Sequence, residues 1–424
     1  RLRGFMGETR IIKGLNQYLL PFGTTAPARL TLILLLSNLY FYLPFYALYL
    51  QGKGLDLVQI SELSIILLLS NLIFEIPGGV LADHFSKKQI LLLGFLLQLI
   101  GEIVFLQGNQ FFHFAIASLI GGIHWALHSG CLEAYLHELL RSQKEPERYS
   151  EALGYIGFAK STANFIAFLG GTLIVWIWEK DSFFLLIFLT VCGVALALYG
   201  MCNLPSASKN KMGVHSEIDP QTPNLSWLDR LGLSEVRALA GTLGILILFF
   251  WMTQPFADSL LILIQPFYEQ KGGVIAFLGV LIAAGMAIEG FVLKQVHIFQ
   301  KEFGIKNVLA LVCLFLGSGF CLLSLSPNIW LTAFFFLWIR SAVGIQQVLL
   351  TDQTLKLFPV HRHATVLSLI NLGSRLYISG GMWGIAFVAE FSIGWAFQFL
   401  AGLMLIATVL VSVIPLPEPA VNMR

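Results

Sequence analysis

Charged residues are scarce in this chain of 424 residues, of which Asp, Glu, Lys and Arg make up 12%. Soluble domains carry about 25% charged and about 45–50% apolar residues. This chain is 57% apolar. A single soluble core cannot bury so much apolar surface at this length, and a disordered chain cannot keep it in water. The composition therefore excludes both classes and indicates an integral membrane protein.

An excess of charge of one sign is also missing, since 26 basic residues stand against 24 acidic ones. We therefore expect no nucleic-acid partner. The sequence contains no nucleotide-binding loop, zinc-binding helix or nucleophile elbow, so we expect neither an enzyme nor a nucleotide-driven pump, and no cofactor. The cysteines lie inside apolar runs without paired spacing, so we expect no disulfide; they are Cys131, Cys192, Cys202, Cys313 and Cys321.

Long apolar runs fill most of the chain. A bilayer core of about 30 Å requires about 20 apolar residues in a helix. Twelve runs meet this requirement, which predicts an all-α membrane protein with twelve transmembrane helices. The predicted spans are 30–50, 57–82, 89–107, 111–139, 150–177, 182–203, 237–267, 273–297, 306–326, 329–356, 363–389 and 392–415.

One polar stretch divides these spans into two sets of six. Residues 204–236 are rich in Pro, Ser and Asn, which is typical of a solvated linker. The predicted organisation is a cytoplasmic N-terminal segment without the order of a secretory signal, a six-helix bundle, the linker, a second six-helix bundle and a cytoplasmic tail. Their bounds are 1–29, 30–203, 204–236, 237–415 and 416–424.

The basic residues predict the orientation. With the N-terminus inside, nineteen of the 26 Lys and Arg fall in cytoplasmic segments, and only Lys53, Lys180 and Lys271 fall in outer loops. Basic residues accumulate in short cytoplasmic loops, so we expect both termini in the cytoplasm. Short outer loops without a glycosylation acceptor favour a bacterial inner membrane, and we expect a monomer.

The loop between the second and third spans carries a motif. Residues 78–88 read Gly-Gly-Val-Leu-Ala-Asp-His-Phe-Ser-Lys-Lys. Gly79 is expected to let a neighbouring helix approach closely, and Asp83 to meet a helix N-terminus or a basic side chain. Lys87 and Lys88 add positive charge on the cytoplasmic side. This loop resembles the Gly-x-Leu-Ala-Asp-x-x-Gly-Arg/Lys-Arg/Lys signature of the major facilitator superfamily, which implies that Asp83 is central to a clamp between two halves.

Other segments extend this resemblance to about residues 30–415, which implies two pseudo-symmetric six-helix halves. Residues 303–309 repeat 85–91 at an offset of 218 residues, as parallel halves require. The segments 131–134 and 149–150 are similar to a bacterial branch of permeases often labelled as efflux proteins. One departure is Ser86, which replaces the usual loop glycine, so that a left-handed backbone there is expected to carry strain.

A second departure concerns the fourth and tenth spans. Arg340 and Gly344 in span ten match an Arg-x-x-x-Gly pattern that the family usually shows in span four. At the matching place span four has His124 and His128, 216 residues earlier. The usual arginine is therefore replaced by histidine in the first half.

Ionisable residues inside the spans mark the candidate site, because a charge at mid-membrane costs about 2.5–3.5 kcal/mol on insertion scales. The resemblance implies that all spans except three, six, nine and twelve line a central cavity. We predict substrate or coupling roles for the cavity-span residues Asp258, Glu289, His124, Lys160, Arg340 and Arg375. Asp258 and Glu289 are the first candidates for proton coupling, and structural ion pairs are the alternative. Three cations against two acids favour an anionic or zwitterionic substrate.

Neighbouring residues lead to further expectations. Pro255 and Pro266 flank Asp258 and are expected to break span seven locally. Glu102 lies one turn after Gln98 in a support span, so we predict a protonated or hydrogen-bonded structural residue. Tyr42, Tyr46 and Trp125 are predicted to line the cavity. Acidic and basic residues near the cytoplasmic ends of the spans predict an inner gate of salt bridges, to which the loop motif also belongs. These residues are Glu75, Glu133, Arg148, Asp352 and Arg362.

His124, His128 and Cys131 follow at i, i+4 and i+7, a spacing that could hold a soft metal ion. No second cluster completes such a shell, so we expect polar lining and no metal.

Three functions fit these features. The first is a proton-coupled secondary transporter that exports a small organic molecule by alternating access. The second is a proton-coupled importer of an anionic metabolite, such as a carboxylate siderophore or an organic acid. The third is a protein of the same fold that no longer transports and acts as a receptor or in lipid handling.

Overall fold

The structure, a computed structural model, describes residues 25–178, 182–205, 255–346, 348–349 and 363–413. These ranges contain helices and no strand. The earlier ranges form α1 (Ala26–Ser37), α2 (Tyr46–Gly52), α3 (Leu57–His84), α4 (Lys87–Gln107), α5 (Phe111–His128), α6 (Cys131–Ser142), α7 (Tyr149–Trp178) and α8 (Phe183–Cys202). The later ranges form α9 (Pro255–Gln270), α10 (Phe277–Leu293), α11 (Val296–Phe303), α12 (Ile305–Ser324), α13 (Ile329–Ala342), α14 (His363–Phe391) and α15 (Ile393–Val413).

Every predicted span that the structure describes corresponds to one or two of these helices. Among the described residues, seven helical segments are long and apolar enough to cross a membrane, or eight if the bent pair α10–α11 forms one span. The predicted all-α membrane class is therefore confirmed. Most of the predicted linker, the first part of span seven, and the gate residues Asp352 and Arg362 lie outside the described residues.

The chain divides into two compact units, each with its own core. Unit 1 is Arg1–Leu43 with Ser70–Asn210. In unit 1, α4 packs against α5 and α8, and α1 packs against α7 and α8. Large buried side chains such as Phe95 and Tyr135 fill the space between these helices.

Unit 2 is Pro44–Leu69 with Lys211–Arg424. Here α12 packs along α15, α13 packs against α10 and α12, and α9 packs against α14 and α2. Residues 44–69 belong to this unit although they precede the linker. They are the second part of span one and the first part of span two.

Span one is broken near its middle. The helix α1 ends at Ser37, residues 39–42 are not helical, and α2 begins at Tyr46 after a 3-10 turn, Leu43–Phe45. Pro44 has no N–H to donate and its ring crowds the preceding turn, so it disfavours a regular helix at this point. The sequence analysis did not predict this break.

The described part of span seven, from residue 255 onward, is continuous where a break was expected. Pro266 lies inside α9, which runs without interruption over Pro255–Gln270. The expectation of a local break is therefore wrong at Pro266. Membrane helices tolerate proline because neighbouring groups can satisfy the freed backbone acceptor.

The loop residue Ser86 begins a helix. Its backbone is extended, with φ −68° and ψ 143°. The Gln89 N–H donates to Ser86 Oγ at 3.3 Å, and the Ser86 N–H donates to Gln89 Oε1 at 3.1 Å. This reciprocal pair is a capping box, which satisfies N–H groups at the start of α4. The expected left-handed strain at Ser86 is wrong, because serine here acts as a favoured N-cap.

The two loop lysines bind the ends of helices. Lys87 Nζ donates to the Ala82 carbonyl at 2.6 Å. Lys88 Nζ donates to the Cys202 carbonyl at 2.9 Å and to the Leu204 carbonyl at 2.5 Å. Unpaired carbonyls and the negative end of the helix dipole both attract ammonium groups. Lys88 thereby joins the start of α4 to the end of α8.

Close helix packing occurs one residue before the position expected. A Cβ atom on Gly78 would lie 3.4 Å from the Ala126 carbonyl oxygen, whereas one on Gly79 would meet no atom within 4 Å. The role expected for Gly79 therefore belongs to Gly78. Asp83 lies in the last turn of α3, its side chain is outside the described part, and the clamp stays a prediction.

Candidate functional site

A buried ion pair forms the centre of the candidate site in unit 2. The Arg340 guanidinium on α13 donates through Nη2 to the Glu289 carboxylate on α10. The Arg340 side chain is 6% exposed and the Glu289 side chain 19% exposed. A charge inside a membrane span requires such a partner. The structure thus brings together two of the residues that the sequence analysis selected.

Two glycines make room for this pair. A Cβ atom on Gly344 would lie 2.9 Å from Glu289 Oε1, and one on Gly285 would lie 3.0 Å from Arg340 Cγ. Real Cβ atoms scarcely approach other atoms this closely, so a larger residue at either position would displace the charged side chain. The Arg-x-x-x-Gly pattern thus has a local purpose in this chain, because Gly344 accommodates the partner of Arg340.

Asp258 adds a second acid to this pair. Asp258 lies in the first turn of the described part of α9, and it is exposed. It is within electrostatic reach of Arg340. The Nε–H group of Arg340 is buried without an acceptor among the described residues. A buried donor without an acceptor is costly. Arg340 therefore has one bound carboxylate, a second carboxylate nearby and one donor still available.

Unit 1 holds a separate polar cluster on its fourth and fifth spans. Lys160 on α7 is half-buried and has no ion pair within 4 Å in the described part of the chain. Glu133 on α6 and the two histidines of α5 are near enough to act on it electrostatically. His124 Nδ1 lies 2.8 Å from the Gly94 carbonyl oxygen, which fixes this ring against α4.

The histidine pair is not followed by a third metal ligand. The ring centroids of His124 and His128 are 5.1 Å apart. The helix is interrupted after His128, where Gly130 takes φ +71°, and Cys131 begins the next helix. No group of three or more His, Cys, Asp or Glu side chains that could hold a metal occurs among the residues described.

Glu102 lies on α4 in unit 1. It is 9% exposed, and Tyr42 OH lies 3.2 and 3.3 Å from its two carboxylate oxygens. Tyr42 is itself 8% exposed and stacks on Phe105. The predicted place of Tyr42 on a cavity wall is therefore wrong, because it packs against α4.

Two helix starts in unit 2 are capped by side chains from distant parts of the sequence. Gln265 Oε1 on α9 accepts from the buried Ala47 N–H in the first turn of α2 at 2.7 Å. The Glu390 carboxylate at the end of α14 accepts from Leu57 N–H at the start of α3. Helix starts carry N–H groups without partners in their own helix. Sequence reasoning missed both contacts, because no local pattern relates residues 218 and 333 positions apart.

The predicted inner-gate residues lie in several places. Arg148 pairs with Glu145 at 2.8 Å and with Glu151 at 2.9 Å, in its own loop and the following turn. Glu75 and Glu133 are exposed, on α3 and α6. Arg375 is half-buried on α14, and its carbonyl accepts from Ser379 Oγ at 2.8 Å. A gate that joins the two halves stays a prediction.

These features define a class of protein. Apolar spans, a helix broken at mid-span and buried ionisable residues are together characteristic of secondary transporters. The sequence profile described as Major Facilitator Superfamily matches residues 30–382. The chain belongs to the major facilitator superfamily. The predicted fold, with twelve transmembrane helices in two pseudo-symmetric halves, is thus confirmed.

Solved transporters share this fold. The nucleoside transporter NupG is similar with a TM-score of 0.73 and 14% identity, over 91% of this chain and 98% of that chain. A D-xylose–proton symporter gives a TM-score of 0.69 and 14% identity, over 92% and 97%. The peptide transporter POT in complex with sulfate gives 0.67 and 14%, over 91% and 93%. No curated protein matches the chain significantly. At this identity the likenesses establish the fold alone.

Proposed function

We propose that this protein is a proton-coupled secondary transporter which exports a small organic molecule across a bacterial inner membrane, as a monomer with both termini in the cytoplasm. The observation that carries the coupling assignment is the buried guanidinium of Arg340, which binds the Glu289 carboxylate and has the Asp258 carboxylate within electrostatic reach. The efflux direction follows from the similarity of segments 131–134 and 149–150 to efflux-like permeases.

The chemistry of coupling follows from competition for Arg340. When both carboxylates are ionised, the guanidinium can neutralise only one unit of negative charge, and the second is stabilised only by solvent. Protonation of Asp258 removes this imbalance and allows the helices to move. Protonation and substrate occupancy are coupled because each changes the partners of one arginine.

The substrate class we propose is anionic or zwitterionic. Lys160 supports this choice, because its half-buried ammonium group has no ion pair within 4 Å among the residues described. The unsatisfied Nε–H of Arg340 is a second donor that an acceptor oxygen could meet. Carboxylate oxygens suit both groups, since charge-assisted hydrogen bonds are stronger than neutral ones.

The same observation supports a second candidate, proton-coupled import of an anionic metabolite such as a carboxylate siderophore or organic acid. Deletion of an exporter should sensitise cells to a compound, whereas deletion of an importer should slow growth on one nutrient or under iron starvation. A receptor or lipid-handling protein of this fold should show neither effect, and purified protein should move no solute across liposomes.

A ligand screen tests the substrate class. Purified protein would be screened by thermal shift against charged metabolites, carboxylate siderophores and drugs. For an anionic hit, K160Q should raise the apparent Kd about tenfold, because one charge-assisted hydrogen bond is lost. K144Q is the matched control, since Lys144 is exposed in the loop before α7, and it should leave the Kd unchanged. Unchanged affinity in both K160Q and R375Q would refute the anionic class.

A further inference from the structure

The break in span one places the side chain of Tyr42 against the buried carboxyl group of Glu102. Within unit 1, Gln98 Nε2 on α4 donates to the Ser37 carbonyl at 2.9 Å, and Phe41 N–H donates to Thr190 Oγ1 on α8 at 3.2 Å. Glu102 is one helical turn beyond Gln98 on the same face of α4. The freed backbone of span one is therefore bound to the helix that carries Glu102.

Among the described residues, no positively charged side chain acts on Glu102. The titratable groups that face it are Tyr42, which hydrogen-bonds to it, and Tyr40, whose hydroxyl binds Gln98 at 2.8 Å. The neighbouring helices α5, α6 and α8 place no charged side chain at this carboxyl group in the described part. An ionised carboxylate in apolar surroundings without a counter-charge is so costly that such a group takes up a proton.

A buried acceptor without a donor lies one helical turn from Glu102 on the same face of α4. Gln98 is 5% exposed, and its Oε1 is buried without a hydrogen-bond donor among the described residues. A protonated Glu102 supplies an O–H donor one turn away, whereas an ionised Glu102 supplies only acceptors. A neutral carboxyl group therefore accounts for the missing counter-charge and adds a donor on the face of α4 that carries the unsatisfied acceptor.

The position in the chain relates this proton to movement. The boundary between the two compact units falls between Leu43 and Pro44, one residue after Tyr42. The residue that hydrogen-bonds to Glu102 is thus the last but one in the unit 1 part of span one. Any rearrangement of the break at residues 38–45 must move Tyr42, and with it the cover over the carboxyl group.

We propose that Glu102 is protonated in this structure and exchanges its proton when the break in span one rearranges, which makes it a second proton-binding site separate from Asp258 and Glu289. On release the carboxyl O–H bond breaks, the electron pair stays on the carboxylate, and the proton passes to water admitted at the break. Its part in transport rests on the proposed function, but protonation and the link to the break do not.

Infrared spectroscopy of the purified protein in lipid nanodiscs tests the protonation. At neutral pH, E102Q should lose the absorbance of one protonated carboxyl group relative to the wild type. The control E147Q, which changes an exposed side chain, should keep that absorbance. Y42F retains the carboxyl group but removes the hydrogen bond from Tyr42, so it should move the carboxyl C=O band to higher frequency. This variant gives a result even if E102Q does not fold. An unchanged band in a folded E102Q, or in Y42F, would overturn the proposal.

Hydrogen–deuterium exchange tests the link to span one. In the wild type, exchange at residues 38–45, corrected for the intrinsic pH dependence, should rise about tenfold once Glu102 ionises, because a carboxylate in these apolar surroundings is stabilised only when water enters at the break. In E102Q this rise should be absent. A wild-type profile without the rise, or an equal rise in E102Q, would refute the link. Neither measurement requires transport. A protein that gives both results but moves no substrate would therefore refute the proposed function and leave the protonation of Glu102 standing.

Discussion

Separating the charges of the Arg340–Glu289 pair should destabilise unit 2 strongly. Removal of one partner from a buried ion pair costs about 3–5 kcal/mol, because the remaining charge is left uncompensated. The Glu289 side chain is 19% exposed and Arg340 6%, so water screens the pair slightly, and we expect the lower end, about 3 kcal/mol, for E289Q. The double variant E289Q/R340Q removes both charges of the pair and should recover most of this loss.

A double-mutant cycle measures this effect. Unfolding of the wild type, both single variants and the double variant in lipid nanodiscs gives the coupling free energy, which we expect to be about 3 kcal/mol. R148Q is the control, because the Arg148 pairs are about half exposed and such pairs contribute about 1 kcal/mol or less. If E289Q costs no more than R148Q and the cycle is additive, the pair is not a buried structural unit and the argument for competition over Arg340 fails.

Three further substitutions test the local geometry. Q265L removes the acceptor of the buried Ala47 N–H and should cost about 1–3 kcal/mol; hydrogen exchange in α2 should rise, and unchanged exchange would contradict the cap. S86A should cost about 1 kcal/mol and S86G only a few tenths in thermal unfolding, as at other N-caps; a stabilising S86G would indicate the left-handed turn instead. G344A should cost about 1–3 kcal/mol because it displaces the Glu289 side chain. The coupling free energy between Glu289 and Arg340 should then be smaller in the G344A background. An unchanged coupling free energy would argue against the contact between Gly344 and Glu289.

Hydropathy predicted the spans well because the bilayer imposes length and apolarity on each of them. It also located Arg340 and Glu289, since a charge inside an apolar run stands out in the sequence. The sequence alone does not show that the two bind each other. Their pairing depends on where Gly344 and Gly285 let two helices meet, which is a property of tertiary packing.

The features that sequence reasoning missed depend on partners far away in the chain. Span one breaks at residues 38–42 because Gln98 and Thr190 satisfy the freed backbone. Pro266 was expected to break its helix and does not, which shows that proline alone does not determine a break. Ser86 was judged against a family glycine, although Gln89 three residues later is the usual partner in a capping box.

Transport by the D258N variant tests the central claim most directly. Wild-type protein and the variant would be reconstituted in liposomes with a hit from the ligand screen, and accumulation driven by a pH gradient would be compared with exchange of labelled substrate without a gradient. Proton coupling through Asp258 predicts that D258N loses accumulation and keeps exchange, while E147Q keeps both. Gradient-driven accumulation in D258N equal to that of the wild type would contradict the account.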